Sequence, residues 1–411
     1  MTIAAVVLLL VWAGHAAAQV PERIAEIRVH GNHTTPTDEV LALVGLTTGA
    51  AATAEALADA QRRLHESGRF AAVEIRRRYA SIEDPSAILV IVVVDEHAGT
   101  SADSPIPGPW HRLRLATLWM PILGYADGYG FTYGVRMTFE DPLGPQTRLS
   151  VPLTWGGERR AGVDVERTFA SGWLTRVSGG AALFRRVNPH FEASDRHLEA
   201  RGRIERRLAG WLVLGGGARI ARVDFAGAES RYATAGIDVV LDTRLDPSFP
   251  RDAVHASVGW EHLGFESSSA ARLHGDVRGY IGVGGSRVLA LRTQFSGVGD
   301  AIPPFAQPLL GGSDSLRGYR TGYKAGDSLL ASSIELRVPL LSPLNVARVG
   351  VKTFIDAGTV WSAGSRLRDQ QFDRGIGAGV YAGVAAFMLN VDVAWPESGR
   401  ARTHVGLGVT F

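Results

Sequence analysis

The chain has 411 residues, including 49 glycines, 19 prolines, 9 tryptophans and no cysteine. The absence of cysteine excludes a disulfide framework, cysteine-ligated zinc or iron–sulfur sites and a thiol nucleophile. The formal net charge of +2 excludes a chain-wide electrostatic field for polyanions such as nucleic acid. Hydrophobic residues make up 45% of the chain and charged residues 20%, which by itself fits an ordinary exported globular protein.

The first residues have the pattern of a secretory signal. An apolar stretch, Ile3–Trp12, is followed by Ala16–Ala18, a small-residue cleavage site that would be cut before Gln19. No Lys or Arg precedes the apolar stretch, so a membrane anchor or a buried helix is the alternative. Because the stretch is shorter than the ~20 residues of a spanning helix, we expect residues 1–18 to be a signal peptide.

Residues 22–97 are predicted to form one small domain with the order β-α-α-β-β. Apolar alternation predicts the strands, and apolar residues at i, i+3 and i+7 predict the longer helix. The helix ends follow from glycines placed as C-terminal caps. The predicted elements are a strand within Arg23–His30, helices over Asp38–Val44 and Ala54–Ser67, a strand starting at Phe70 and a strand over Ala87–Val94.

Three strings in this domain together resemble the polypeptide-transport-associated (POTRA) domain. In that family a strand ends in Gly-Asn, a helix ends in Leu-x-x-x-Gly-x-Phe and the last strand ends in Val-x-Glu. The matching residues here are Gly31, Asn32, Gly68, Phe70 and Glu96. Such a domain leaves sheet edges open, to which an extended polypeptide can add as a strand. The alternative is an unrelated small β-α-α-β-β domain.

Residues 98–110, which are rich in Pro, Ser and Gly, are predicted to be a linker. From residue 111 to Phe411 the apolar residues recur with a period of two, as in Tyr129–Phe139, Leu149–Trp155 and Phe387–Trp395. One face of each segment is apolar and aromatic, and the other is glycine, polar or charged. A soluble sandwich and a transmembrane barrel both give this pattern, with opposite faces turned outward.

Three features favour the barrel. Segments of ~10 residues fit a tilted membrane strand. The last segment, Thr403–Phe411, ends in an aromatic residue and resembles the outer-membrane assembly signal. An even number of segments suits an antiparallel barrel. We count about sixteen, near residues 111, 128, 147, 160, 174, 198, 211, 231, 254, 271, 287, 329, 346, 375, 386 and 403. The predicted fold is mainly β: a 16-stranded antiparallel transmembrane β-barrel over 111–411, preceded by the small domain.

One long segment, Ser296–Asp327, interrupts the strands, and loops of this length are usually functional or disordered. Within it, Leu316-Arg317-Gly318-Tyr319 resembles the aliphatic-Arg-Gly-aromatic motif of the sixth extracellular loop in the outer-membrane assembly-factor superfamily. That superfamily includes barrel insertases of the BamA and TamA type, two-partner secretion transporters and bacterial surface antigen proteins. Two further strings match it. They are Asp242-Thr243-Arg244 with Pro247 and Pro250, a turn between strands eight and nine, and Phe354-x-Asp356-x-Gly358 on strand thirteen.

The resemblance implies that the loop folds back into the lumen, where Arg317 meets the inward face of strand thirteen. Alternation places Phe354, Asp356 and Gly358 on one side of that strand. We therefore expect an Arg317–Asp356 ion pair, with Glu335 as a second partner. Such a pair would be partly desolvated, so its loss would matter more than that of a surface bridge. The alternative is that Arg317 is an ordinary exposed loop residue.

The functional prediction is an outer-membrane assembly or polypeptide translocation factor, not an enzyme, with no cofactor, no metal and no catalytic residues. The POTRA edge would capture unfolded outer-membrane or secreted polypeptides in the periplasm. The barrel seam would then insert them among the outer-membrane lipids, with or without a partner protein. We place the seam on the last strand, at Thr403, Val405, Leu407, Val409 and Phe411. The alternatives are a two-partner-type secretion transporter, which usually carries two POTRA domains, and a passive porin or structural barrel.

Overall fold

The computed structural model describes residues 22–32, 35–80, 84, 86–96, 117–144, 146–169, 171–341, 347–384 and 387–409. The expected signal peptide (1–18), the expected linker (98–110), the first predicted strand start near residue 111, and Phe411 lie outside the described residues.

The N-terminal domain has the predicted order β-α-α-β-β. Its elements are β1 (Arg23–His30), α1 (Thr37–Val44), α2 (Ala54–Glu66), β2 (Phe70–Tyr79) and β3 (Ala87–Glu96). The sheet order is β1-β3-β2, with β3 parallel to β1 and antiparallel to β2, so β1 and β2 are the edge strands. The helices cover the sheet and bury one apolar core, which includes Val40, Leu64, Val90 and Val92. No helix among the described residues is long and apolar enough to cross a membrane.

The rest of the described chain is a closed barrel of sixteen strands, each antiparallel to its neighbours. This confirms the predicted fold class, and the described strands lie at the predicted positions. The barrel strands are β4 (Thr117–Ala126), β5 (Gly130–Glu140), β6 (Thr147–Gly156), β7 (Arg159–Thr168), β8 (Arg176–Asn188), β9 (Ala193–Ala209), β10 (Leu212–Phe225), β11 (Ala228–Asp242), β12 (Ala253–Phe265), β13 (Ser269–Gly282), β14 (Val288–Val298), β17 (Ser328–Leu341), β18 (Ala347–Trp361), β19 (Asp373–Val384), β20 (Phe387–Pro396) and β21 (Arg402–Val409). Two short strands, β15 (Leu309–Leu310) and β16 (Lys324–Ala325), pair with each other inside the long loop between β14 and β17.

The apolar face of the strands points outward and the polar face points into the lumen. On β18, Val351 and Ile355 are 37% and 53% exposed, whereas Lys352 and Asp356 between and beside them are buried. An outward apolar face would be unfavourable in water, and it matches the lipid-facing band of a membrane barrel. The exposed tryptophans within the strands are Trp119, Trp155, Trp260 and Trp395, and Trp173 and Trp211 are exposed in turns.

The lumen wall is charged but internally paired. On β9, Arg203 bonds to Glu205 two residues away (2.7 Å) and to Asp238 on β11 (2.6 Å). Arg201 pairs with Asp164 on β7 at 2.8 Å. Alternating signs on one face let the wall neutralise itself, so the lumen can be polar without carrying a large net charge.

Candidate functional site

The long loop between β14 and β17, residues 299–327, folds back into the lumen. Leu310 and Leu316 are fully buried and pack in one cluster with Tyr319 of the loop and with Leu329 and Ala331 of β17. The loop is therefore fastened to the inner wall through apolar contacts as well as through the polar contacts of Arg317.

Arg317 is the centre of these polar contacts and is only 6% exposed. Its Nε and Nη2 donate to the two carboxylate oxygens of Asp356 (both 2.8 Å), and its backbone N–H donates to Asp356 Oδ2 (3.0 Å). Its Nη1 donates to Glu335 Oε2 (2.7 Å) and Asp392 Oδ2 (3.3 Å), and Nη2 also donates to Ser333 Oγ (2.9 Å). One guanidinium thus joins the loop to β17, β18 and β20.

The geometry around Arg317 suits a permanent cation. Its guanidinium carbon lies 3.3 Å from the ring centroid of Phe354, so the ring face covers the group that the carboxylates surround. Burial alone would lower the pKa of Arg317, but the hydrogen bonds to Asp356 and the charge of Glu335 raise it above its ordinary value. The bidentate fork to Asp356 is an arrangement that lysine cannot reproduce.

The next two loop residues, Gly318 and Tyr319, bond to strands β21 and β19. Gly318 has φ +95°, and a Cβ there would lie 2.9 Å from the Pro396 nitrogen, so both the backbone angle and the space favour glycine. Its N–H donates to His404 Nε2 on β21 at 2.9 Å. The Tyr319 hydroxyl donates to the Arg374 carbonyl on β19 at 3.2 Å.

Lumen-facing glycines let the loop lie directly against the wall. A Cβ at Gly358 of β18 would come within 2.7 Å of Leu310 Cδ1, and a Cβ at Gly375 of β19 would overlap the Arg317 carbonyl oxygen. Glycine in a strand interior often marks such a close approach of another segment.

The Asp-Thr-Arg turn between β11 and β12 closes on itself. Arg244 Nη2 bonds to Asp242 Oδ2 at 2.7 Å, and the hydroxyl of Thr243 accepts from the Val254 N–H at 2.8 Å. The following residue, Leu245, packs against the core of the N-terminal domain. This turn therefore joins the barrel to the small domain.

A cavity of about 540 Å³ opens beside this turn, and Pro247 and Pro250 are in its wall. Six cationic side chains line it, and each has a carboxylate within 4.0 Å, so the cavity is polar without a large excess of positive charge. These cations are Arg244, Arg251, Arg278, Arg337, Arg348 and Lys352. Among the described residues, no cluster of His, Asp and Glu side chains could hold a metal ion.

The residues of the POTRA resemblance lie at structural positions of the small domain. Gly31 has φ +89°, and a Cβ there would overlap the Val94 carbonyl oxygen of β3. Asn32 Nδ2 donates to the Thr35 carbonyl at 3.0 Å and so shapes the turn into α1. Gly68 follows α2 with φ +66°, and Phe70 is buried in the core. Glu96 is the last residue of β3 and pairs with Phe70 through the backbone.

In the part of the chain that the structure describes, the seam between the last and the first barrel strand has little register pairing. Strand β21 pairs with β20 along its whole length, from Arg402 to Val409. Within the described residues, β21 pairs with β4 through the single register pair Leu407–Tyr125. Of the seam residues expected from the sequence, Thr403, Val405 and Leu407 lie on the face opposite the buried His404.

Sequence reasoning placed Glu335 and Asp356 beside Arg317 but missed Ser333, Asp392 and His404. Asp392 and His404 alternate with apolar neighbours along their strands, so this alternation predicts that both side chains face the lumen. The alternation of inward and outward side chains does not give the height of a residue along the barrel axis. That height depends on the register of β20 against β21, in which Asp392 and His404 face each other.

A closed 16-stranded barrel with an outward apolar face, a loop folded into its lumen and one small N-terminal domain defines a membrane β-barrel protein of the outer-membrane type. The Omp85 superfamily domain matches residues 126–411, and a POTRA domain of the surface antigen variable number repeat type matches residues 22–97. The chain belongs to the Omp85 superfamily, as the loop motif and the small domain predicted. At the level of the family, membership supports polypeptide insertion or translocation at the outer membrane.

Solved structures agree on the fold. The protein is similar to BamA from Haemophilus ducreyi lacking POTRA domains 1–3, with a TM-score of 0.61, 15% identity and coverage of 96% of this chain and 85% of that one. It is also similar to CdiB from Acinetobacter baumannii (TM-score 0.52, 12% identity, coverage 95% and 74%) and CdiB from Escherichia coli (0.50, 14%, 97% and 92%). Comparison with curated protein sequences gives no match.

Proposed function

We propose that the protein inserts polypeptides into the outer membrane at the seam between β21 and β4. The observation that carries this proposal is the single register pair, Leu407–Tyr125, that joins the two strands among the described residues. Every unpaired backbone group in a membrane barrel is costly in lipid. A weakly paired seam is therefore the place where an incoming strand gains the most from pairing.

The small domain would supply the first contact with the substrate. Among the described residues, the outer side of β1 is paired only at its start, where Arg23 and Ile24 bond to segment Gly49–Ala52, and no strand lies outside β2. An extended chain can therefore add to β2 or to the rest of β1 by backbone hydrogen bonding. The contacts of Leu245 with the domain core hold this sheet next to the barrel. We place the domain in the periplasm, where unfolded outer-membrane polypeptides arrive.

The driving force in this proposal is thermodynamic. A substrate strand that leaves the periplasm for the seam buries apolar side chains in lipid and satisfies its backbone groups. No residue of the barrel has to form a covalent bond with the substrate, so the proposal includes neither catalysis nor a cofactor. The partners are the substrate polypeptide and the outer-membrane lipids.

The proposal is tested with a seam that can be locked. Register partners in an antiparallel pair have Cα atoms ~4.5–5.5 Å apart, which a disulfide spans. The double variant Tyr125→Cys/Leu407→Cys is introduced into a chain that has no other cysteine. The variant is reconstituted in liposomes, and insertion of a urea-unfolded barrel protein is followed by its protease protection.

We expect the reduced variant to speed insertion over empty liposomes and the oxidised variant to lose that effect, with recovery on reduction. The same protein in its two redox states is the matched control. Equal insertion in both states would contradict a role of the seam. Delivery of a soluble polypeptide across the bilayer would instead identify a secretion transporter, and a large steady conductance without insertion would identify a passive pore.

A further inference from the structure

His404 occupies a central position beside the seam. It lies on β21, points into the lumen and is 2% exposed. On one side its Nε2 accepts the N–H of Gly318, in the loop motif, at 2.9 Å. On the other side its Nδ1 lies 2.5 Å from Asp127 Oδ2. Asp127 belongs to the turn between β4 and β5, on the opposite side of the seam.

The hydrogen-bond pattern defines the tautomer of His404. The Gly318 N–H is a donor, so Nε2 must be the acceptor and carry no hydrogen. The hydrogen of the neutral ring then lies on Nδ1 and is donated to the Asp127 carboxylate, which is an acceptor. The His404 ring of the last strand is thus hydrogen-bonded both to the loop and to the first hairpin of the barrel.

A second contact follows the same path. A Cβ at Gly128 would lie 2.5 Å from the Cβ of Thr321, so the loop rests directly on the turn that carries Asp127. The loop therefore contacts the hairpin of β4 and β5 at one side of the seam and, through His404, the last strand at the other side. These are direct bridges across the seam in addition to the backbone pair Leu407–Tyr125.

The charged groups around His404 belong to separate elements. Asp127 is its direct partner from the first hairpin turn. Asp392 is its register partner on β20, but that carboxylate is directed to Arg317 (3.3 Å) and to Lys352 (3.1 Å). Arg317 itself is adjacent to Gly318 in the loop. His404 therefore connects Gly318, the neighbour of Arg317 in the loop, to Asp127.

We propose that His404 is a positioning residue that couples two events, the seating of the loop in the lumen and the closure of the seam. When the loop is seated, Gly318 orients the ring, and the ring holds the first hairpin against the last strand. When the loop leaves, the ring loses the Gly318 N–H that orients it, and its bond to Asp127 across the seam is weakened. The inference rests on the proposed use of the seam for substrate, but the coupling is a property of the barrel itself.

The test separates the two hydrogen bonds of the ring. The amide of glutamine reaches the position of Nε2, so His404→Gln keeps an acceptor for Gly318 and loses the bond to Asp127. The shorter amide of asparagine reaches the position of Nδ1, so His404→Asn keeps a donor for Asp127 and loses the acceptor for Gly318. Asp127→Asn leaves the histidine in place and removes the charge of its partner. Each change is placed in the Tyr125→Cys/Leu407→Cys background.

Two readouts are taken in lipid. The rate of disulfide formation reports seam closure, and limited trypsin cleavage after the exposed Arg320 reports loop seating. A hydrogen bond to a charged partner changes an equilibrium by about tenfold, so we expect each variant to slow disulfide formation several-fold up to about tenfold. Coupling predicts in addition that Asp127→Asn and His404→Gln, which keep the acceptor for Gly318, accelerate cleavage of the loop.

The outcomes separate the proposals. Disulfide rates at the parent level in both His404→Gln and His404→Asn would show that the ring only fills space and would overturn the inference. Slower closure with unchanged loop cleavage would overturn the coupling and leave a purely local bridge. Neither readout uses a substrate, so a protein that shows the coupling and yet inserts nothing would contradict the proposed function while leaving this inference intact.

Discussion

Replacing Arg317 by alanine removes every polar contact between the loop motif and β17, β18 and β20 that the side chain makes. The largest consequence falls on Asp356, which is 1% exposed. Glu335 keeps Arg337 at 2.7 Å and Asp392 keeps Lys352 at 3.1 Å. Within the described residues, Arg317 is the only cation in salt-bridge distance of Asp356.

The size of the stability loss depends on Asp356, because this carboxylate loses its cation whereas Glu335 and Asp392 keep theirs. Breaking a buried pair by removing one partner costs about 3–5 kcal/mol, because the other charge stays buried without its counter-charge, and Asp356 would keep only the backbone N–H of residue 317 from the loop. We therefore expect Arg317→Ala to lower the free energy of unfolding by about that amount, or roughly two to three and a half orders of magnitude in the folding equilibrium. Adding Asp356→Asn should recover part of the loss, because it removes the stranded charge.

The assay is urea-induced unfolding in lipid vesicles, followed by the gel shift that separates folded from unfolded barrels. Arg368→Ala is the matched control, since Arg368 is also a loop arginine paired with an acid, Asp369, but is largely exposed. An exposed pair contributes about 0–1 kcal/mol. If Arg317→Ala were no less stable than the control, or if Asp356→Asn made it still worse, the reasoning from a desolvated pair would be refuted.

Three further predictions concern the loop, the membrane face and pH. Gly318→Ala should destabilise the barrel more than Gly364→Ala, because both glycines have positive φ but a Cβ only at Gly318 meets backbone; equal losses in urea titration would contradict this. Ile355→Arg, on the exposed face of β18, should cost about 2–4 kcal/mol in lipid vesicles, whereas an unchanged stability would place that face out of the bilayer. Burial raises the pKa of Asp127, but the hydrogen bond and electrostatic interaction with His404, together with the hydrogen bonds from Thr321 and the Gly128 N–H, hold the pKa below its ordinary value. The stabilisation by Asp127 is therefore present at neutral pH and lost as pH falls below the ordinary carboxyl range, so the gap in melting temperature between the parent and Asp127→Asn should shrink from pH 7 to pH 3.

Much of the fold was predictable because lipid-facing and lumen-facing residues alternate along each strand of a membrane barrel, which gives the sequence a period of two. On β18, Val351 and Ile355 turn to lipid while Lys352 and Asp356 turn inward, and this assignment needs no neighbouring strand. The order of elements in the small domain followed from glycines at helix ends and from apolar alternation. These are local signals, each contained in about ten residues.

The sequence predicted only those parts of the site that depend on short motifs and on the family resemblance. Asp356 could be matched to Arg317 because a family resemblance supplied the contact. The bond between Gly318 and His404 joins residues that are 86 positions apart. It depends on the path of the loop and on the register of β20 with β21, neither of which is a property of a short segment. The same holds for Asp127 and His404, which meet only because the barrel closes.

The side-chain partners of the loop motif all lie C-terminal to it in the sequence. Ser333, Glu335, Asp356, Asp392 and His404 all follow Arg317 in sequence. A chain that emerges from its N-terminus first cannot complete these bonds until its last strand has arrived. The pairs of Arg317 with Glu335 and Asp356 need only β17 and β18, whereas the bonds of the motif to Asp392 and His404 would form last, when β20 and β21 close the lumen wall. These last bonds would act as a check that the C-terminal strands are complete, because a chain truncated before β20 would keep the pairs of Arg317 with Glu335 and Asp356 but would lack Asp392 and leave the Gly318 N–H without its acceptor.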